Sequence, residues 1–367
     1  MSELTKQLFR FYGAEVSYFT GKVRPALRYK HVPYAEILAT PAVYREVIRP
    51  RTGLAFIPIV VTPDDETWQD TSDILDRLEQ RFAQPPLYPA TPVQRLVAYL
   101  WELYADEFLV LPALHYRWSY PESEAKARAD FAATNGDPEQ ANRFADRMKG
   151  VLAFVGINEQ TAPAVEAHLA ELLARLEAHF AEHPFLLGAA PSLADCAMIG
   201  PLYAHLYLDA VPGRLLRERA PRVCHWIERM NHPDPDARGS WLVDDGIAET
   251  MRPLLNLIGV DAVPVILDNV RDFEAWADTR PADVAEPPRG TGSHTTSLRG
   301  VAMQRFTSAY SLWMLQRPLD EYCRLNDADR ARVDQHLAGS GCDELLRYRP
   351  RHRLGKDNFR LVFEPHR

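Results

Sequence analysis

Hydrophobic and polar positions follow two different periods along the first 84 residues. Residues 8–12 form an apolar, aromatic run typical of a strand, and Gly13 begins a loop. Apolar positions 23, 26 and 27 then have the spacing of one helix face. The same patterns predict a strand at 32–39, a hairpin at 56–71 and an amphipathic helix at 72–82. The predicted element order is therefore βαβ followed by ββα.

A proline-rich linker at 84–92 separates this part from a stretch, 93–231, that is patterned as helix throughout. In the segment 162–180 apolar side chains recur every three or four residues, as on the buried face of a helix. Ser192 and Asp195 have the spacing of a capping box, in which each side chain bonds the other residue's backbone amide. The second part of the chain is thus predicted to be all helical.

Residues 232–367 form a third part that is mostly patterned as helix. We expect a turn-rich passage at 232–246, two helices within 245–278, and a loop at 281–297. A helix at 303–325, ended or kinked by Pro318, and a helix at 327–337 follow. Residues 359–363 alternate like a terminal strand, and residues 298–300 are a candidate partner for it. This extension is expected to pack on the helical domain.

Composition and charge narrow the class of protein. The 367 residues are 46% hydrophobic and 25% charged, as in soluble globular proteins. A net charge of −8 argues against nucleic acid as a partner, because phosphate binding needs a basic surface. No apolar run approaches the ~20 residues of a membrane span, and the start lacks a signal-peptide pattern. Four dispersed cysteines and twelve dispersed histidines predict a cytoplasmic protein without a metal site.

The loop after the first strand carries the most informative chemistry. It holds Ser17, Tyr18 and Thr20 immediately before a predicted helix. The free amides of a first helical turn favour an anion, and hydroxyl donors lower the pKa of a thiol held beside them. The alternative is an ordinary strand–helix connection with polar loop residues.

Four segments, in order, resemble those of the cytosolic glutathione transferases. They are SYFTGKVRPALRYK (17–30), Ile57-Pro58, Asp70-Thr71 and FLLGAAPSLAD (185–195). The resemblance covers roughly residues 6–231. It implies an α+β/α protein with a thioredoxin-like βαβ-ββα domain at 1–84 and an all-helical bundle domain at 92–231. It does not explain residues 232–367, the mostly helical extension that we expect to pack on the bundle.

The resemblance also implies a role for each segment. Either Tyr18, which resembles the activating residue of tyrosine-type members, or Ser17, where serine-type members place theirs, would donate to the glutathione sulfur, with Phe19 and Thr20 beside it. Ile57 and Pro58, joined by a cis bond, would bond the cysteinyl backbone, and Asp70 and Thr71 would hold the γ-glutamyl group. Asp70 replaces a usual Glu and is one methylene shorter.

The implied function is a cytoplasmic, homodimeric transferase that uses glutathione as co-substrate to conjugate or reduce a small hydrophobic electrophile. No metal, nucleic acid or membrane is expected to take part. The alternative is a non-catalytic binding or scaffold protein of the same fold. Four aromatic side chains of the extension are further candidates for walls of the electrophile pocket: Trp276, Tyr310, Trp313 and Tyr322. The last 23 residues carry seven Lys or Arg and two acids, and we expect them to pair with acidic groups elsewhere.

Overall fold

A four-stranded mixed sheet begins the fold in the computed structural model, which describes residues 7–234, 239–281 and 283–365. Its strands are β1 (Phe9–Gly13), β2 (Tyr34–Leu38), β3 (Ile59–Val61) and β4 (Thr67–Gln69), in the order β2-β1-β3-β4. β1 and β2 are parallel, whereas β3 is antiparallel to β1 and to β4. Helices α1 (Tyr18–Tyr29) and α3 (Thr71–Arg81) and a helical segment α2 (Pro41–Val43, Tyr44–Ile48, Arg49–Thr52) complete it. The predicted βαβ-ββα, thioredoxin-like order is confirmed.

Alternation along β1 explains why the sheet is covered on both faces. Phe9 and Phe11 belong to the main core together with apolar residues of α1 and α3. Tyr12 belongs instead to a smaller cluster with Ile48 of α2 and Ile59 of β3. The loop that carries Ser17 therefore begins where β1, a strand buried on both faces, ends.

The second part is all helical, as expected. Its helices are α4 (Pro92–Glu107), α5 (Val110–Trp118), α6 (Pro121–Asn135), α7 (Pro138–Phe154), α8 (Ala162–His179), α9 (Leu193–Pro201, continued by a π-helical segment Leu202–Tyr207), α10 (Ala210–Arg219) and α11 (Pro221–Asn231). The predicted capping box is present, with the amide of Ser192 donating to Asp195 Oδ2 at 3.0 Å. A Cβ on Gly200 would lie 2.6 Å from the carbonyl oxygen of Tyr18, so glycine is required where α9 crosses α1.

The extension differs from its prediction in one region. Its elements are α12 (Met251–Leu257), a π-helical segment (Ile258–Ala262), α13 (Val263–Asp278), β5 (Gly292–Leu298), β6 (Val301–Thr307), α14 (Ala309–Arg324), α15 (Asp327–Leu337), α16 (Asp343–Arg347), β7 (Leu354–Asp357) and β8 (Arg360–Phe363). The loop predicted at 281–297 contains all but the last residue of β5, and the helix predicted at 303–325 begins only at Ala309. Part of the turn-rich passage, 235–238, lies outside the described residues.

Two further predictions about the extension were wrong. Leu298 ends β5, residues 299–300 form the turn of the β5–β6 hairpin, and β8 pairs with β7 instead. Pro318 lies inside α14 and does not end it, because the helix continues to Arg324; the alternative, a kink at Pro318, stays a prediction. The extension packs on the helical part through α14 and α15, which both contact α4. The boundaries at 84, 92 and 232 stay predictions.

One stretch of the extension, Met251–Asp278, is long and apolar enough to cross a membrane by length and composition. Charged residues interrupt this stretch, so it contains no continuous apolar run of that length. In the structure 72% of its most apolar window is buried, as in the core helix of a soluble protein.

Candidate functional site

The three predicted glutathione-binding segments meet at one edge of the sheet. Tyr12, at the carboxyl end of β1, pairs with Ile59, and Ile59 also pairs with Gln69, the last residue of β4. The loop to α1 follows β1, Pro58 precedes β3, and Asp70 follows β4. Strand register therefore places all three segments next to one another.

Ser17 lies at the start of α1 and caps it. Its Oγ accepts a hydrogen bond from the amide of Thr20 at 3.3 Å. Ser17 is half-buried, and within the described residues its hydroxyl donates to no partner. A hydroxyl proton at a helix N-terminus thus remains available to a negatively charged ligand atom.

Tyr18, in contrast, points into the protein. It is 6% exposed, and its hydroxyl donates to the carbonyl oxygen of Ala105 in α4 at 2.5 Å. Burial raises the pKa of Tyr18 well above its ordinary value.

Phe19, half-buried, packs its ring on Tyr18. Thr20 is fully buried, and its Oγ1 accepts the amide of Ala14 at 3.3 Å. Of these four residues, Ser17 therefore has the side chain best placed to reach a ligand.

The Ile57–Pro58 peptide bond is cis, as predicted. Pro58 is buried and Ile57 is half-buried at the start of β3.

Asp70 and Thr71 begin α3. Asp70 caps the helix with a positive φ of 76°, and its Oδ1 accepts the amide of Ser72 at 3.0 Å. Thr71 is 5% exposed. Burial raises the pKa of Asp70, but the ammonium of Lys356 and the hydroxyl of Tyr310 bring it below the ordinary value. Asp70 is thus held as a carboxylate by residues of the extension.

The extension contacts this carboxylate directly, which the sequence did not indicate. Nζ of Lys356, in β7, lies 3.2 Å from Oδ2 of Asp70 and 2.8 Å from Oδ2 of Asp73. The same ammonium lies 3.5 Å from the centroid of the Trp313 ring. Tyr310 donates its hydroxyl to Oδ2 of Asp70. The site is therefore built from the first and the last parts of the chain.

Two of the four candidate aromatic residues reach the site. Tyr310 and Trp313 of α14 do so through Asp70 and Lys356. Trp276 packs on Phe363, and Tyr322 donates to Asp334 instead. The basic end of the chain pairs with acidic residues, as expected; examples are Lys356–Asp70, Arg353–Asp320 and Arg360–Glu286.

A buried ionic network lies beneath the site. Nζ of Lys22, in α1, is 2.5 Å from Oδ2 of Asp106 and 2.9 Å from Oε1 of Glu102, and these three side chains are at most 1% exposed. Ser72 Oγ donates to Glu102 at 2.7 Å, and Arg317 Nε of the extension does so at 2.9 Å. The network joins α1, α3, α4 and α14. Its signal in the sequence is the pair of acids, Glu102 and Asp106, four residues apart on the buried face of α4.

The two acids of this network have opposite pKa shifts. Burial raises the pKa of Glu102, but Arg317 and Lys22 outweigh burial and bring it to about 2. Burial raises the pKa of Asp106 to about 7, although Lys22 lowers it.

Two cavities lie elsewhere. One, of about 580 Å³, is lined by Tyr116, Glu166, Ala170, Leu215 and Arg219 of the helical part, among others, and the other, of about 140 Å³, adjoins His336. The predicted site residues line neither. Within the described ranges, no group of three or more His, Cys, Asp or Glu side chains is arranged to hold a metal ion.

Comparison with known families identifies both matched domains. The family model described as glutathione S-transferase, N-terminal domain, matches residues 11–86. The model described as glutathione S-transferase, C-terminal domain, matches residues 143–234. A search of curated proteins found no match.

Solved structures of similar fold include the beta-etherase LigF from a Sphingobium species, which is 17% identical and has a TM-score of 0.46 over 62% of this chain and 96% of its own. A tau class glutathione S-transferase from mango is 18% identical, with a TM-score of 0.41 over 68% and 96%. A glutathione S-transferase from Methylobacterium radiotolerans, in complex with glutathione sulfonate, is 20% identical, with a TM-score of 0.40 over 65% and 99%. On the two domain matches, the chain belongs to the cytosolic glutathione S-transferase superfamily, with an extension that follows the second matched domain.

Proposed function

We propose that this protein is a glutathione-dependent transferase in which the Ser17 hydroxyl donates a hydrogen bond to the glutathione thiolate. The observation that carries the proposal is the contrast between Ser17 and Tyr18. Both residues follow β1 at the sheet edge. The Tyr18 hydroxyl already donates to the carbonyl oxygen of Ala105, whereas the Ser17 hydroxyl has no acceptor among the described residues. The two glutathione S-transferase domain matches support the same conclusion.

In this proposal Asp70 receives the α-ammonium group of the γ-glutamyl residue. The carboxylate is 10% exposed in its side chain and already ionised, so an incoming cation meets a charged acceptor. Because Lys356 Nζ already lies against Oδ2, the ligand's ammonium must share the carboxylate with Lys356 or replace it. Thr71, and the backbone beside Ile57 and Pro58, would hold the remaining polar groups of the tripeptide.

The chemical step would be attack by the thiolate on an electrophilic carbon, with departure of the leaving group and its bonding electrons. Lowering the thiol pKa by two units corresponds to about 2.7 kcal/mol. One hydrogen bond to a charged group contributes roughly 1.5–3 kcal/mol, so Ser17 can supply most of this shift.

The test is a titration of glutathione bound to the wild-type protein, followed by ultraviolet absorbance of the thiolate. We expect a thiol pKa below that of free glutathione and conjugation of a chlorodinitrobenzene at neutral pH. Binding without any shift in thiol pKa and without conjugation would refute the catalytic proposal.

One observation favours a second candidate, a non-catalytic binding or scaffold protein. Lys356 and Tyr310 already engage the carboxylate that glutathione would use. If they exclude glutathione permanently, calorimetry will detect no glutathione binding to the wild type even at millimolar concentrations. Tight binding together with conjugation decides for the transferase.

The remaining parts of the proposal are a small hydrophobic electrophile, a homodimer and a cytoplasmic location. The dimer is checked by light scattering of the purified chain. The other two need a substrate screen and fractionation of cells that produce the protein.

A further inference from the structure

Arg305 is a buried cation that has no partner among the described residues. It lies in β6, on the inward-facing side of the β5–β6 hairpin, and is 8% exposed. Its Nε is buried and unbonded, and its guanidinium makes no hydrogen bond or ion pair with any described residue. Burial lowers the pKa of Arg305 to about 10, and Glu107 offsets this only in part. At neutral pH the side chain is therefore a charged group without a counter-ion in contact.

Other buried arginines of this chain form ion pairs with acidic side chains. Arg24 contacts Glu36 at 2.6 Å, Arg117 contacts Asp209 at 2.7 Å, and Arg317 contacts Asp76 at 2.8 Å. Burying an ionised group without a partner is strongly unfavourable, and native proteins pair such groups. The isolation of Arg305 thus points to a partner that is not part of the chain.

The neighbours of Arg305 leave its positive charge in place. His294 is its direct cross-strand partner, and its pKa is lowered by burial and by Arg305. The Thr307 hydroxyl donates its single hydrogen to Asp272, so in the contact with His294 it must accept, and His294 Nδ1 donates. In the uncharged ring Nε2 is then an acceptor, and it has no partner among the described residues. His294 therefore supplies neither a negative charge nor a competing positive one.

Glu107 locates Arg305 relative to the glutathione site. Glu107 ends α4, two residues after Ala105, whose carbonyl accepts the Tyr18 hydroxyl. Its carboxylate accepts the hydroxyl of Ser311, the residue after Tyr310, which itself bonds Asp70. Glu107 is thus connected to Tyr18 through Ala105 and to Asp70 through Ser311 and Tyr310, and its charge acts on Arg305.

We propose that Arg305 binds a carboxylate of the second substrate, so that this protein acts on electrophiles that carry an acidic group. The planar guanidinium presents paired donors that match the two oxygens of a carboxylate. This proposal rests on the proposed transferase function, from which it takes the position of the glutathione sulfur. It names the substrate class that the fold alone leaves open.

The test compares a chlorodinitrobenzoate with the matching neutral chlorodinitrobenzamide, in which thiolate attack expels chloride at the same carbon. We expect wild-type kcat/KM to favour the benzoate, and Arg305→Gln to reduce it about tenfold to a hundredfold for the benzoate only. Arg324→Gln, which removes a positive charge from an exposed side chain at the end of α14, is the matched control and should change neither rate. Equal effects of Arg305→Gln on both substrates would overturn the proposal.

A binding experiment separates this proposal from the transferase proposal. Calorimetry without glutathione should show the benzoate binding to wild type more tightly than to Arg305→Gln or Arg305→Met, whether or not the protein is catalytic. Both variants should melt no lower than wild type, because an unpaired buried charge is removed. Equal affinities in properly folded variants refute the site. A loss of glutathione affinity instead would assign Arg305 to the glycyl carboxylate and refute the electrophile assignment.

Discussion

Lys356 Nζ lies 3.2 Å from Oδ2 of Asp70, which makes the extension part of the predicted glutathione site. The two residues belong to β7 and to the cap of α3, near opposite ends of the chain. The ammonium of Lys356 has the charge of the γ-glutamyl ammonium that Asp70 is proposed to bind. If Asp70 binds that ammonium as proposed, the extension and the ligand compete for the same carboxylate.

This competition predicts the effect of removing the ammonium. Lys356→Met keeps an apolar side chain over Trp313 and removes the competing ammonium from Asp70, whose Oδ2 then keeps only the Tyr310 hydroxyl. Glutathione affinity, measured by calorimetry, should rise about tenfold, which is ~1.4 kcal/mol. Lys356→Arg keeps the charge and is the control, with affinity near wild type. Weaker binding by Lys356→Met would instead show that Lys356 holds the glutamyl carboxylate.

Asp70 is predicted to be essential for glutathione binding. Asp70→Asn preserves the shape of the side chain but removes the charge, so affinity should fall at least about tenfold, as for a lost charge-assisted hydrogen bond. Asp73→Asn is a matched control, because Asp73 also contacts Lys356 but does not cap α3. Unchanged affinity in Asp70→Asn would remove Asp70 from the site.

The pair Ser17 and Tyr18 gives two distinct expectations. Ser17→Ala should raise the pKa of bound glutathione and slow conjugation at neutral pH by about 10- to 100-fold, with little change in affinity. Tyr18→Phe should leave that pKa unchanged and instead lower the free energy of unfolding by about 1–3 kcal/mol, because the carbonyl of Ala105 loses its donor. The opposite assignment of these two effects would favour Tyr18 as the activating residue.

Local patterns were sufficient to predict the thioredoxin-like and helical parts, but not the β5–β6 hairpin. The inward positions of this hairpin are His294, Thr296 and Arg305 as well as Leu298 and Met303. Polar residues on both faces hide the period of two that identifies a strand. The Thr- and Ser-rich stretch consequently resembled a loop.

The contacts that complete the site could not be predicted for a different reason. Asp70 was predicted because it stands in a motif, whereas Lys356 and Tyr310 contact it only through the packing of α14 and the β7–β8 hairpin. Such contacts between distant segments have no signature in local sequence. A buried charge such as Lys22 leaves a weak signal, since it interrupts an apolar face, but its partners are visible only in the folded chain.

The buried network beneath the site predicts a dependence of stability on pH. Burial raises the pKa of Asp106 to about 7, from an ordinary value of 3.8. The folded state thus binds this proton more tightly than the unfolded chain, and the resulting stabilisation is complete below pH 3.8 and is lost as the pH rises to about 7. Asp106→Asn cannot lose a proton, so its Tm relative to wild type should rise across this window and stay constant above it.

Glu102 provides the control for this prediction, since its pKa is lowered to about 2. Its ionised form stabilises the folded state above its ordinary pKa of 4.5, and this contribution is lost as the pH falls toward 2. Glu102→Gln should therefore cost stability by a constant amount above about pH 5, in the part of the window where the Asp106→Asn difference still changes. Thermal melts of wild type and both variants, in steps from about pH 5 to about pH 8, separate the two behaviours. A Tm difference for Asp106→Asn that does not vary with pH would mean that Lys22 keeps Asp106 ionised throughout, and that the ammonium outweighs burial at this position.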